Sequence, residues 1–251
     1  MTGEDLKQTV RKRYGKIAAE SGSCCGPNCG CETSDKQVIS LSMNDVYQSA
    51  HGAIIEAADL GLGCGTPTAF ADLAEGMTVL DLGSGAGIDV FLAAKELGPT
   101  GKAIGIDMTD EMLERANANR QKLGILNAEF RKGEIENMPI ESDSVDRIVS
   151  NCVINLVPDK RQAFAEMYRV LKRGGKFTVS DIVSIGPIPT EVREDMLLWA
   201  GCISGAVEKT EYLEIIKAAG FTNVLILTEK PYELDENIPF AIQSITVTGT
   251  K

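Results

Sequence analysis

Short apolar runs alternate with segments of helical periodicity along most of the chain. Between the runs, apolar positions recur at helical spacing, as at Phe164, Met167 and Leu171. Strands that alternate with helices of roughly 10–15 residues predict a doubly wound, mostly parallel α/β sheet. The seven predicted strands are residues 79–82, 103–107, 128–132, 145–151, 176–183, 224–227 and 242–248.

Capping residues indicate where several helices begin and end. Thr109 is placed to cap a helix that continues to about Leu123. Pro158 is typical of a helix start, and the pair Gly174-Gly175 predicts the end of that helix. Further helical segments are predicted at residues 1–20, 42–60 and 190–220.

The pattern divides the chain into three parts. Residues 1–35 combine a charged helix with a loop rich in Gly, Ser and Cys. Residues 36–185 hold the regular alternation of strands and helices, and residues 186–251 are less regular. We expect these parts to be an N-terminal segment, a nucleotide-binding domain and a small substrate-binding subdomain with the final strands.

A glycine-rich loop follows the first predicted strand. Gly83, Gly85 and Gly87 open a helix at that point, which lets backbone N–H groups approach a ligand closely. Asp107 ends the next strand, where a carboxylate can bind ribose hydroxyls. The third glycine comes one residue earlier than in the dinucleotide fingerprint G-x-G-x-x-G, and Asp81 precedes the loop.

The loop and the segments after it resemble the S-adenosylmethionine (SAM) binding blocks of class I methyltransferases. The matching blocks occur in the same order at residues 81–87, 107–108, 133–135, 147–151 and 171–176. This resemblance implies SAM as the cofactor. It also implies a set of cofactor-binding residues: Asp81, Gly83, Ser84, Gly85, Gly87, Asp107, Met108, Gly133, Glu134, Ile135 and Asn151.

Composition and charge exclude several classes of partner. Apolar residues make up 43% of the 251 residues, which supports an ordinary core. The net charge of −11 argues against a nucleic-acid partner, because phosphate backbones are bound by clustered Lys and Arg. No apolar run approaches the roughly 20 residues of a membrane helix, and the first residues lack an apolar signal segment. We therefore expect a cytoplasmic protein.

Cysteines are the chemically distinctive residues of this chain. An odd number in a cytosolic chain favours metalloid binding, redox chemistry or burial over structural disulfides. Thiolates bind soft ions. Trivalent arsenic bonded to three sulfurs keeps a lone pair, so converging thiolates would present it to a methyl donor without a general base. The seven cysteines are Cys24, Cys25, Cys29, Cys31, Cys64, Cys152 and Cys202.

Three cysteine-containing stretches, residues 62–67, 150–156 and 201–205, resemble the arsenite methyltransferases. The resemblance covers the chain from about Tyr14 onward. It implies that Cys152 and Cys202 bind arsenic directly. It further implies that Cys64 completes the site and forms a disulfide with an N-terminal cysteine, for which Cys24 and Cys25 are the candidates.

The same resemblance implies the reaction partners. The substrate is expected to be arsenite or its thiol conjugates, and the reductant thioredoxin or a small thiol. Nothing in the sequence requires an oligomer, so a monomer is expected. Compared with longer family members, the chain is expected to lack an additional C-terminal region, and the resemblance does not fix the final methylated product.

Three alternative interpretations remain open. A SAM methyltransferase of a quinone, sterol or other small molecule would share the nucleotide-binding half but leaves the cysteines unexplained. A thiol-rich metalloid buffer or sensor would bind arsenite without consuming SAM. The clustered N-terminal cysteines could form a zinc site, although they lack two C-x-x-C knuckles.

Overall fold

The computed structural model describes residues 2–20, 52–200, 202–232 and 240–251. The helices in these ranges are α1 (Gly3–Glu20), α2 (Gly52–Ala58), α3 (Ile88–Leu97), α4 (Asp110–Leu123), α5 (Lys160–Val170), α6 (Thr190–Arg193), α7 (Met196–Ala200) and α8 (Lys209–Ala218). The strands are β1 (Thr78–Leu82), β2 (Lys102–Asp107), β3 (Ala128–Lys132), β4 (Val145–Asn151), β5 (Leu171–Ile185), β6 (Thr222–Tyr232) and β7 (Ala241–Thr250). Short 3₁₀ turns cover Pro67–Phe70 and Ile154–Leu156.

All seven strands form one sheet in the order β3-β2-β1-β4-β5-β7-β6. Strands β1 to β5 are parallel, and β7 runs antiparallel to both β5 and β6. The predicted seven-stranded, mostly parallel sheet is therefore confirmed. The strand order reverses between β1 and β4. In open α/β sheets, ligands bind at such a reversal, outside the carboxyl ends of the strands.

Helices cover both faces of the sheet and hold the carboxyl ends of the strands in place. Helices α5 and α8 cover one face, where Phe164 and Tyr212 pack edge to face with ring centroids 5.6 Å apart. Helix α3 covers the other face, where Phe91 packs against Phe130 of β3 at the same distance. No helix of the described residues is long and apolar enough to cross a bilayer.

The boundaries of α5 differ from those predicted. The helix begins after Asp159, whose carboxylate accepts the Gln162 N–H at 2.9 Å, so Pro158 lies just outside it. The predicted end at Gly174-Gly175 is wrong. Leu171 is already extended and pairs with Val145 of β4, because inter-strand hydrogen bonds override the local glycine signal.

The other predicted elements agree more closely with the structure. Helix α3 follows the glycine loop as predicted, and α4 has the predicted extent. The predicted helical region 190–220 contains α6, α7 and α8. Helix α2 falls within the predicted region 42–60. The rest of that region up to residue 51 and the cysteine-rich loop lie outside the described residues.

Candidate active site

A crevice opens at the carboxyl ends of β1, β2 and β4. Its walls are the glycine loop after β1, the turns after β2 and β3, and one side of α1. Gly87 does not line the crevice; it caps α3 in a left-handed conformation, with φ +98°. The other predicted cofactor residues all line it: Asp81, Gly83, Ser84, Gly85, Asp107, Met108, Gly133, Glu134, Ile135 and Asn151.

The glycine loop leaves space and unused polar groups for a ligand. Gly83 has φ +67°, and a Cβ at this position would meet Cγ1 of Val153 at 2.5 Å, so only glycine fits. The Ser84 hydroxyl is buried and has no hydrogen-bond partner among the described residues. A buried polar atom without a partner is rare in folded proteins, and a ligand in the crevice would satisfy it.

Two carboxyl groups face the crevice. Asp107 accepts the backbone N–H groups of Gly85 and Thr109, each at 2.9 Å, which leaves lone pairs for ligand hydroxyls. Burial raises the pKa of Asp107, although these two N–H groups oppose the shift. Burial and the charges of Asp89 and Asp107 raise the pKa of Asp81. Donor groups and positive charge would stabilise both carboxylates, and SAM carries both.

Three cysteines that are distant in the sequence meet beside this crevice. Cys64 follows α2, Cys152 follows β4 and Cys202 follows α7, and all are buried in one apolar cluster. The Cys152 thiol lies within hydrogen-bonding range of the other two thiols, and Cys202 Sγ donates to the Cys152 carbonyl at 3.2 Å. Of the three, Cys152 alone lines the crevice.

The thiols are close together but are not yet arranged as the ligands of one ion. Among the described residues, no three His, Cys, Asp or Glu side chains form a ready metal-ion site. Binding of one atom by all three sulfurs therefore requires the sulfurs to move relative to one another. Cys24 and Cys25, together with Cys29 and Cys31, lie outside the described residues.

Two of these cysteines have an unusual backbone conformation. Cys152 has φ +61° and Cys202 has φ +65°. The left-handed region costs a non-glycine residue about 1–2 kcal/mol. Such conformations persist where the surrounding structure enforces them, and they cluster at functional sites. The Cys152 N–H donates to the Ser180 carbonyl at 2.7 Å, which helps to enforce the turn.

Asn151 fixes the loop that carries Cys64. Its Oδ1 accepts the N–H groups of Cys64 and Gly65 at 2.9 and 3.2 Å, and its Nδ2 donates to the Gly65 carbonyl at 2.7 Å. The Ser244 hydroxyl donates to the Cys64 carbonyl at 2.8 Å. A Cβ at Gly65 would clash with the Ser180 side chain, so the close approach requires glycine. Asn151 thus lines the crevice while its amide holds the cysteine loop.

Buried polar contacts also join the segment after Cys152 to the segment that carries Cys202. Asn155 Nδ2 donates to the carbonyls of Ile182 and Cys202 at 2.7 and 3.3 Å. Lys160 Nζ donates to the Asn155 carbonyl at 3.2 Å. Asn155 lies in the family-like stretch 150–156, but the sequence predicts no role for it or for Lys160, because their contacts depend on the packing of distant segments.

Burial and hydrogen bonding keep the Cys64 and Cys152 thiols protonated at neutral pH. Burial raises the pKa of Cys64 above the ordinary thiol value. Hydrogen bonding with Cys202 and Cys64, together with burial, raises the pKa of Cys152 well above it. Any ligand that bonds to these sulfurs must therefore displace their protons.

Comparisons with known proteins agree with this architecture. Residues 73–220 match the methyltransferase domain family. The crystal structure of an arsenic(III) S-adenosylmethionine methyltransferase from Chlamydomonas reinhardtii matches with a TM-score of 0.71 at 33% identity, over 86% of this chain and 74% of that one. The chain belongs to the arsenite methyltransferase family.

Curated members of the arsenite methyltransferase family extend beyond the matched region. The Halobacterium salinarum enzyme is 43% identical over 89% of this chain, and the human enzyme is 34% identical over 89%. This chain covers 59% and 60% of their respective lengths. A demethylmenaquinone methyltransferase from Lactococcus lactis matches only 40% of this chain. The cofactor of this arsenite methyltransferase family member is SAM, and its crevice fits SAM.

Proposed function

We propose that this protein transfers methyl groups from SAM to trivalent arsenic bound by Cys64, Cys152 and Cys202. The meeting of these three thiols beside the cofactor crevice is the observation that carries the proposal. The names of the Halobacterium and human relatives support it. The family resemblance of the residues around each cysteine supports it as well.

Arsenic binding proceeds by exchange of hydroxyl groups for thiols. In each exchange an As–OH bond breaks and an As–S bond forms, and the thiol proton leaves with the hydroxyl as water. Protonated thiols suit this exchange, since the departing hydroxyl takes the proton and no separate base is needed. The adduct with three sulfurs carries no net charge, which favours it in an apolar cluster.

The cofactor is held by the residues that line the crevice. Asp107 binds the ribose hydroxyls, while Glu134 and Ile135 flank the adenine. When bound, SAM supplies an electrophilic methyl group. Arsenic with three sulfur ligands keeps its lone pair, so the residues around it orient a nucleophile and abstract no proton.

Return of arsenic to the trivalent state requires two electrons. Two thiols supply them by forming a disulfide and releasing two protons. We assign this disulfide to Cys64 and either Cys24 or Cys25, and its reduction to thioredoxin or a small thiol by thiol–disulfide exchange. Residues 1–35 would then provide the redox thiol, residues 36–185 the cofactor site and residues 186–251 the Cys202 ligand, in a monomeric cytoplasmic protein.

One assay tests the proposal. The purified full chain is incubated with arsenite, SAM and reductant, and the arsenic species are separated and quantified. We expect methylated arsenic to form together with S-adenosylhomocysteine. Cys152→Ser and Cys202→Ser should bind SAM with wild-type affinity, measured by calorimetry, and should lose methylation.

The outcomes separate the alternatives. Tight arsenite binding without SAM consumption would identify a metalloid buffer. Consumption of SAM only with an organic acceptor would identify a different methyltransferase. Wild-type turnover in both serine variants would show that these thiols do not hold the arsenic.

A further inference from the structure

Helix α1 forms a wall shared by the cofactor crevice and the cysteine cluster. Lys7 Nζ pairs with Glu134 at 2.7 Å and with Glu136 at 3.1 Å, and Arg11 pairs with Glu134 as well. These ion pairs join α1 to the segment after β3 that lines the crevice. On the same helix, Val10 is buried in the apolar cluster that contains the three cysteines.

Tyr14 is the residue of α1 that reaches a thiol. Its ring lines the crevice and packs against the cysteine cluster. Its hydroxyl is a neighbour of the Cys202 thiol and interacts with it. Because Cys202 Sγ already donates its proton to the Cys152 carbonyl, the Tyr14 hydroxyl is the donor and the Cys202 sulfur the acceptor. Burial raises the pKa of Tyr14, so the hydroxyl keeps its proton at neutral pH.

The position of Tyr14 is fixed from both directions along the helix. The ion pairs of Lys7 and Arg11 hold the preceding turns. In the following turn, Arg115 of α4 donates to the Ala18 carbonyl at 3.1 Å. The hydroxyl is thus presented to Cys202 by a helix anchored on two other elements.

We propose that Tyr14 is a positioning residue for Cys202 and that its hydroxyl directs the sulfur toward arsenic. The inference rests on the function proposed above. When arsenic replaces the thiol proton, Cys202 loses its hydrogen bond to the Cys152 carbonyl. The Tyr14 hydroxyl then remains to orient the sulfur, which favours formation of the third As–S bond.

Tyr14→Phe tests this role because it keeps the ring and removes only the hydroxyl. We expect arsenite affinity to fall about two- to tenfold, the equivalent of one neutral hydrogen bond. Arsenic K-edge absorption should show fewer sulfur neighbours per arsenic than in the wild type. SAM affinity should not change, and the unfolding temperature should fall by no more than about 2–4 °C, the effect of one lost hydrogen bond. The matched control is Tyr168→Phe, which lies on α5 against Phe221 and should leave every measurement unchanged.

Each result has a distinct meaning. Wild-type arsenite affinity and three sulfur neighbours in Tyr14→Phe would overturn the role of Tyr14 and leave the proposed function intact. A parallel loss of SAM affinity and thermal stability would also overturn it, since Tyr14 would then be structural. Failure of the wild-type protein to methylate arsenite would instead overturn the proposed function.

Discussion

The side-chain oxygen of Asn151 accepts the backbone N–H of Cys64 at 2.9 Å, although 87 residues separate them in the chain. Asn151 ends β4 and is followed directly by Cys152. The Asn151 side chain therefore fixes the loop that carries Cys64. The same residue ends the strand that positions Cys152. The distance between these two sulfurs depends on this amide.

We predict that Asn151→Ala weakens arsenite binding more than SAM binding. The substitution removes the side-chain oxygen that accepts the Cys64 and Gly65 N–H groups, at a cost of about 1–3 kcal/mol, so arsenite affinity should fall by roughly tenfold or more. Arsenite binding is followed by As–S absorption and SAM binding by calorimetry.

Asn127→Ala is the matched control for this prediction. The Asn127 amide also joins distant backbone, donating to the Ala94 and Gly98 carbonyls at 2.8 Å, but it lies away from the cysteines. It should lower stability without changing arsenite affinity. If Asn151→Ala affects SAM more than arsenite, the main role of Asn151 is in cofactor binding.

The left-handed backbone of Cys152 predicts that Cys152→Gly is at least as stable as Cys152→Ala, the reverse of the usual order. In most positions alanine is more stable than glycine by about 0.5–1 kcal/mol. At φ +61° glycine avoids the steric cost, so Cys152→Gly should be at least as stable as Cys152→Ala. Urea unfolding of both variants measures the difference.

Ala118 is exposed in the middle of α4 and serves as the control, because alanine there should be more stable than glycine. Ala118→Gly should destabilise the protein by about 1 kcal/mol. If Cys152→Ala exceeds Cys152→Gly in stability by a similar amount, the strain at Cys152 is absent in solution.

Asp107→Ala should reduce SAM affinity and leave arsenite affinity nearly unchanged. A hydrogen bond to a charged group contributes about 1.5–3 kcal/mol, which corresponds to roughly 10- to 100-fold in affinity. Calorimetric titration with SAM checks the first effect and As–S absorption the second. Asp110→Ala, at an exposed ion pair with Lys132, is the control. An unchanged SAM affinity in Asp107→Ala would remove Asp107 from the ribose site.

The features that sequence could predict are those encoded locally. Strand alternation, the glycine loop after β1 and the helix that follows Thr109 depend on neighbours within a few residues, and each appears in the structure. The end of α5 is not encoded locally, because Leu171 pairs with Val145, a contact that spacing along the chain does not reveal.

The site shows the same division between local and distant information. The cysteines were identified by their residue type and surrounding sequence. The sequence predicts no role for Tyr14 or Asn155, because each acts through contacts with segments far away in the chain. The hydrogen bonds of the Asn151 amide to the Cys64 loop also join distant segments. The residues next to Asn151 in the sequence predict only a role in cofactor binding.

Asp181 should make stability depend on pH. It is buried on β5, where its carboxylate accepts the Tyr212 hydroxyl at 3.1 Å and the Ile182 N–H at 3.0 Å. Burial raises its pKa to about 7, although the Lys160 charge opposes the shift. Between the unfolded value near 4 and about 7, the folded state binds more protons than the unfolded state. The free energy of unfolding must therefore fall as pH rises through this range.

Asp181→Asn should remove this contribution. Relative to the variant, the wild type should lose about 1–2 kcal/mol of unfolding free energy between pH 5 and 7, measured by urea unfolding. Burial lowers the pKa of Lys160 to about 8, so its titration lies above this window. The control is Asp143→Asn, which removes an exposed carboxyl. The hydrogen bond with Lys251 lowers the pKa of this carboxyl, so the decrease of unfolding free energy from pH 5 to 7 should remain in the variant. Equal slopes in the wild type and Asp181→Asn would mean that Asp181 stays ionised across this range.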